Sequence, residues 1–136
     1  NTGSFTDVNQ AKETAISIIE GGADVISPMA NDASVGIMEA GEEKGVMAVG
    51  CGLGQESSAP TATKIIIVKD VAIAIKSTFD AYAKGELNPT EVETYGANKG
   101  VVYATEWFGD VNDEAKTRLQ ETIDKMAKGE VEISLQ

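Results

Sequence analysis

Gly22-Ala23-Asp24-Val25-Ile26-Ser27-Pro28-Met29-Ala30-Asn31-Asp32 decides the fold of this chain, read with Asn1-Thr2-Gly3-Ser4-Phe5-Thr6-Asp7 upstream of it. Between them Asp7 is placed as an N-cap, and Ala11, Ala15, Ile18 and Ile19 follow at helical spacing. Gly21-Gly22 ends that helix. Ala23 to Ser27 then reads as a short buried strand stopped by Pro28, opening into a small, polar loop. In an open parallel sheet, ligands sit beyond the carboxyl ends of the strands. The stretch therefore predicts a binding lobe rather than a self-contained catalyst.

Working outward, strands and helices alternate. An opening strand is represented only by residues up to Phe5. Ser34 is expected to cap a second helix through Lys44, with Val35, Met38 and Ala40-Gly41 facing the sheet and Gly45 closing it. Val46 to Val49 and Lys64 to Val68 read as strands, separated by Gly50-Cys51-Gly52-Leu53-Gly54 and the loop Ser57-Ser58-Ala59-Pro60. Asp70 caps the clearest helix, which carries Val71, Ala74, Ile75, Thr78, Phe79 and Tyr82 along one face and ends at Lys84-Gly85. Glu91 to Tyr95 and Gly100 to Tyr103 are expected strands around Gly96-Ala97-Asn98. A last helix spans Val111 to Lys128 with Ala115, Leu119, Ile123 and Met126 inward, and Val131 to Ile133 reads as a terminal strand. This alternation predicts an α/β fold: a three-layer parallel sheet with helices on both faces, in one domain over residues 1–136.

Composition excludes several functions. Of 136 residues, 22 are acidic and 11 basic, and the net charge of −11 disfavours nucleic acid and anionic lipid as partners. There is no His, which removes the commonest general base, the serine and cysteine triads and most transition-metal sites. Cys51 is the single cysteine, so no intrachain disulfide forms, and its plain reading is a small residue at a strand end. No apolar stretch has the length of a membrane span, and no signal peptide is visible.

Motifs carry less than their appearance suggests. Gly50-Cys51-Gly52-Leu53-Gly54 matches Gly-x-Gly-x-Gly, not Gly-x-Gly-x-x-Gly, and runs into a Ser/Pro loop rather than a helix. No helix N-terminus is offered to a pyrophosphate, so no nucleotide cofactor is expected. Asn31 and Asp32 supply an amide and a carboxylate for hydroxyls or ring nitrogens, or else an Asx turn feeding the next helix. Glu42-Glu43-Lys44 reads as a solvated helix face. Within Glu106-Trp107-Phe108 the only Trp either stacks on a flat ligand, meets a partner, or covers the core edge. Nothing marks two carboxylates as converging for acid–base work, so no enzyme activity, metal or cofactor is expected.

Gly3-Ser4-Phe5-Thr6-Asp7, Gly22-Ala23-Asp24-Val25-Ile26, Gly36-Ile37-Met38-Glu39-Ala40, Glu43-Lys44-Gly45-Val46 and Ala48-Val49-Gly50 together resemble the basic membrane protein family. These are lipoprotein solute-binding components of bacterial ABC importers, including purine-nucleoside receptors. The similarity continues through Gln55, Ala59-Pro60, Lys69-Asp70-Val71, Gly100-Val101 and Gly129-Glu130-Val131. It implies one α/β lobe of the type I periplasmic-binding kind, corresponding to the second lobe plus the C-terminal helix, without the first lobe. It implies a small-molecule solute, a permease partner reached through the full-length protein, and an extracytoplasmic, lipoprotein or periplasmic location with the anchor outside this chain.

Carried over by position, the ligand-binding residues are Phe5 near the crossover between lobes, Ser27, Met29, Asn31 and Asp32 in the first loop, and Gly52 and Gln55 in the second; Trp107 joins them on its capacity to stack on a flat ligand. The chain departs from the nucleoside receptors at two places. Gly52 stands where they carry an Asp that holds ribose hydroxyls, and Asn31-Asp32-Ala33-Ser34 replaces a Gly-Gly-Thr-Gly-like loop. A purine nucleoside or base is the expected solute, and the isolated lobe is expected to self-associate. The alternatives are a ligand-sensing domain of a transcriptional or signalling regulator with the same fold, and a small flavodoxin-like enzyme.

Overall fold

The structure, a computed structural model, describes residues 3–105 and 107–131. Its elements are α1 (Val8–Glu20), β1 (Val25–Ile26), α2 (Ser34–Lys44), β2 (Met47–Gly50), β3 (Thr63–Lys69), α3 (Val71–Lys84), β4 (Val102–Ala104) and α4 (Asp113–Ala127). The strands form one sheet in the order β1-β2-β3-β4. β1, β2 and β3 run parallel. Ala48 pairs with Thr63 but Val49 with Ile65, so β3 carries one extra residue at that point. After β4 the chain returns along β3: Thr105 N–H donates to the Ile66 carbonyl and Phe108 N–H to that of Lys64, both at 2.9 Å. The mixed α/β architecture agrees with the sequence reading.

The chain divides into two compact units, Asn1–Ile67 with Ala104–Val111 and Val68–Tyr103 with Asn112–Gln136. The first holds both core clusters. Ile26, Met38, Ala48, Ala59 and Ala62 form one, with Ile19, Ile37 and Val46 packed against it. Ala11, Ala30 and Ala33 form the other. With so much alanine inside, α1 and α2 approach closely: a Cβ on Gly36 would lie 2.1 Å from the Val8 carbonyl oxygen.

Charged side chains complete this unit. Lys12 pairs with Glu43 at 3.1 Å and Glu39 at 3.6 Å, and Lys44 with Glu20 at 2.9 Å. Glu42 is half-buried and departs from the solvated face expected of it. Its carboxylate accepts from the Thr61 hydroxyl and from the amides of Thr61 (3.0 Å) and Ala62 (2.9 Å), fastening the entry to β3 onto α2. The Thr61 hydroxyl bond, then the Ala62 amide bond, hold this carboxyl below its ordinary 4.5. A lowered folded value means the contribution is full above 4.5 and is lost as pH falls through the folded value. Glu42→Gln is therefore expected to lower Tm at neutral pH, with the gap to wild type closing on acidification below 4.5. A gap of constant size in melts from neutral to acid pH would show that the carboxylate's charge is not what fastens the segment.

Several local expectations change. Gly3–Phe5 is no strand: Gly3 has φ +69°, and the Ser4 hydroxyl accepts from the amides of Thr6 and Asp7, forming a turn into α1. Ser34 does not cap α2. A 3-10 turn at Asn31–Ala33 runs straight into the helix, and the Ser34 hydroxyl instead accepts from the Ala30 amide at 3.1 Å. Val35 faces outward, while Met38, Ala40 and Gly41 are buried as expected.

In the second unit Asp70 caps α3, accepting from the amides of Ala72 and Ile73. Glu91 to Tyr95 is not a strand, because local side chains hold it in another shape. Asn88 accepts from the Thr90 amide and hydroxyl, and the Tyr95 hydroxyl bonds Glu93 and Thr78. The Lys99 ammonium lies 4.5 Å from the Tyr95 ring centre and pairs with Glu93. The Asn112 side chain accepts from the Glu114 amide, which sets the start of α4 two residues after Val111. On α4, Leu119, Ile123 and Met126 are half-buried and Ala115 is exposed. Residues 132 and 133 of the expected terminal strand lie outside the described residues.

Candidate ligand-binding edge

Two loops follow the carboxyl ends of β1 and β2. The first is anchored by Pro28, which is fully buried, and by Ala30 and Ala33 in the small core cluster. Ala33 N–H donates to the carbonyls of Phe5 (3.0 Å) and Ala30 (3.1 Å), tying the entry to α1 to this loop. Asn31 adopts φ +51°, a left-handed conformation that Asn tolerates better than most residues. The anchoring leaves Ser27, Met29, Asn31 and Asp32 exposed on the outside of a loop whose inside is packed.

The second loop closes on its own side chain. Gln55 Oε1 accepts from the Cys51 amide at 2.8 Å, folding Gly50–Gln55 into a compact turn. Gly54 takes φ +89° ahead of a 3-10 turn at Gln55–Ser58. The space at Gly50 is tight, since a Cβ there would lie 2.9 Å from an Ile66 side-chain carbon. At Gly52 the space is open: a Cβ would lie 3.6 Å from the Gln55 amide nitrogen, ordinary contact. The loops meet where the Ser27 hydroxyl and Cys51 thiol stand 3.4 Å apart.

The structure thus brings Ser27 and Gln55 onto one edge through Cys51, and Asn31 and Asp32 onto the same loop as Ser27. Phe5, Ser27 and Met29 also line a cavity of about 630 Å³ with Thr14, Ile18 and Val25. Trp107 is not brought to these loops. It is half-buried next to Phe108, whose amide bonds Lys64 near the amino end of β3, whereas Gly50 at the candidate edge pairs with Ile66. Reasoning from sequence missed Cys51 as the bridge between loops. Its place right after an expected strand, one loop from Ser27, was the available signal.

The arrangement offers hydroxyl, amide, carboxylate and thiol groups on an exposed edge. Among the described residues no group of three or more His, Cys, Asp or Glu side chains is placed to hold a metal ion. None of the described helices is long and apolar enough to cross a membrane.

Comparison with solved structures shows the fold. A transcriptional activator of the comK gene from Bacillus halodurans matches with a TM-score of 0.79 at 22% identity, over 92% of this chain and 44% of that one. ABC transporter solute-binding proteins match from Aeropyrum pernix K1 (TM-score 0.77, 17% identity, 98% and 46%) and Conexibacter woesei DSM 14684 (0.70, 19%, 98% and 44%). The chain therefore spans less than half the length of these structures, a single lobe of a periplasmic-binding-protein-like fold. No curated protein matches. The profile of the family described as ABC transporter substrate-binding protein, PnrA-like, matches residues 1–135, and the chain belongs to that family.

Proposed function

We propose that this chain is one lobe of the substrate-binding component of a bacterial ABC importer, that it binds without turning its ligand over, and that the solute is a purine nucleoside or free base. The observation that carries the reading is the pair of loops joined at Ser27 and Cys51 beyond the ends of adjacent parallel strands, in a chain of the PnrA-like family. Ligand edges of parallel sheets lie there. Asp32 and Asn31 are the groups proposed to bond solute hydroxyls or ring nitrogens, with Ser27, Met29, Gln55 and Phe5 shaping the edge. Gly52 leaves room beside Gln55 rather than a carboxylate, which favours a base over a ribose as the recognised part. Trp107 is kept as a cover for the core edge.

Binding would then work by closure of two lobes: solute bonds made from both sides favour the closed form, which a permease recognises. The location proposed is extracytoplasmic, as a lipoprotein or periplasmic protein. A second reading, a ligand-sensing domain of a regulator, draws support from the Bacillus halodurans neighbour, a transcriptional activator of the comK gene.

The test is a thermal-shift screen of purine nucleosides, purine bases and sugars on the full-length protein. A ligand at a hundred times its Kd stabilises the folded state by about 2.7 kcal/mol, enough to read as a clear rise in Tm. Asp32→Asn is expected to weaken the purine hit roughly ten- to hundredfold, the worth of a charge-assisted hydrogen bond. An unchanged affinity in Asp32→Asn would remove Asp32 from the site. A shift only with non-purine effectors, accompanied by altered DNA or protein partner binding, would favour the regulator.

A further inference from the structure

We propose that Gln55 decides which class of purine this edge accepts. Its carboxamide is held so that only N–H donors are left for the solute, and the group they meet is the exocyclic oxygen of a 6-oxopurine. This rests on the purine reading above and deepens it.

The orientation of Gln55 follows from its partner. A backbone amide only donates, so the atom 2.8 Å from the Cys51 nitrogen is the carbonyl oxygen Oε1, and the other end of the carboxamide is Nε2. Turning the carboxamide over would set N–H against N–H. The slot that receives Oε1 is narrow: a Cβ on Gly50 would lie 3.2 Å from that oxygen and 2.9 Å from an Ile66 side-chain carbon. The surrounding loop is fixed too. The Gln55 amide donates to the Gly52 carbonyl at 3.4 Å, and the Ser57 amide (3.2 Å) and hydroxyl (2.7 Å) both donate to that of Gly54.

Nε2 carries two N–H donors and bonds nothing among the described residues. The buried side-chain atoms without a partner among those residues are Glu56 Oε2 and Thr63 Oγ1, and Nε2 is neither. It therefore reaches solvent although Gln55 is half-buried. Gly52 stands beside it and has no side chain to accept from it or cover it. A donor fixed before the solute arrives pays little ordering entropy on binding. The matching purine is set by position 6. Ring nitrogens accept in adenine and guanine alike, whereas the exocyclic group at 6 is an oxygen acceptor in one and an amino donor in the other. An amino group against Nε2 would leave two donors facing, both desolvated and neither paired.

The experiment is calorimetric titration of hypoxanthine and of adenine into the full-length protein, as wild type, Gln55→Glu and Gln55→Met. Wild type is expected to bind hypoxanthine at least about tenfold tighter than adenine. Gln55→Glu keeps an oxygen for the Cys51 amide and puts an acceptor in place of the donor, so the preference is expected to reverse. Gln55→Met removes the donor without adding charge, and the two affinities are expected to converge. A merely structural role would weaken both ligands together and leave their ratio alone. An unchanged ratio in both variants therefore overturns the proposal and assigns Gln55 to holding the loop. Equal affinities in wild type, or a preference for adenine, overturn it without any variant. A protein that binds neither base removes the purine reading along with this one, whereas one that binds both alike removes only the oxopurine assignment.

Discussion

Gly36→Ala is expected to destabilise the chain by about 3 kcal/mol or more, at or beyond the upper end of ordinary overpacking costs. In an exposed helix the same change stabilises by about 1 kcal/mol, because alanine is the better helix former. Here the sign reverses for a geometric reason. The new methyl would lie 2.1 Å from the Val8 carbonyl oxygen, 3.0 Å from its carbon and 3.1 Å from the Lys12 nitrogen. All three are backbone atoms of α1, so no side-chain rotation relieves the contact. Either α1 and α2 separate, opening the alanine cluster at Ala11, Ala30 and Ala33, or the substituted protein does not fold. Urea unfolding of the two proteins measures the difference, and a loss below about 1 kcal/mol would mean the helices are not held this closely.

Met38→Ala is the second large effect, with an expected loss of about 2–5 kcal/mol. Met38 is fully buried and is the largest fully buried side chain of the described residues. Its cluster is Ile26, Ala48, Ala59 and Ala62, with Ile19, Ile37 and Val46 around it. Three of those seven neighbours are alanines, which have no side-chain freedom with which to fill a hole. The cavity is therefore expected to stay open, placing the cost toward the upper part of the range. Met38→Leu, which nearly conserves volume, is expected to cost less than about 1.5 kcal/mol. Equal losses for the two substitutions would show that shape rather than volume governs this position.

The elements built from local signals were legible in the sequence. Asp7 and Asp70 were read as helix caps and both accept from the helix amides, because a cap needs only a carboxylate and the residues just beyond it. The strands at Val25, Met47 and Thr63 were legible as short apolar runs between turns, to within two residues. What was not legible depends on partners distant in sequence. Glu42 looked solvated because its partners, Thr61 and Ala62, lie nineteen and twenty residues away. Gly36 carried a signal that went unused: a glycine inside an amphipathic helix costs stability and so points to a close approach. Glu91 to Tyr95 had strand composition, but Tyr95, Glu93 and Lys99 satisfy one another and leave Val92 97% exposed.

The candidate edge was legible in outline. Asn31 and Asp32 follow from the rule that ligands sit in loops beyond strand ends, which needs only strand positions, whereas Ser27 and Gln55 follow from the family resemblance. Cys51 was undervalued because a thiol's partner is set by the meeting of two loops, a tertiary fact. Trp107 was grouped with the edge on its chemistry alone, yet the return of the chain along β3 carries it toward Lys64.

The measurement that bears most directly on the account is a calorimetric titration of the best purine ligand into the full-length protein and into the isolated chain. The account predicts micromolar or tighter binding by the full-length protein. It predicts affinity weaker by roughly a hundredfold or more for the isolated chain, since losing two hydrogen bonds of about 1.5 kcal/mol each from the opposite lobe has that effect. Binding of equal strength by the isolated chain would contradict a site shared between lobes. A flat titration of the well-folded full-length protein with every purine would contradict the purine assignment itself.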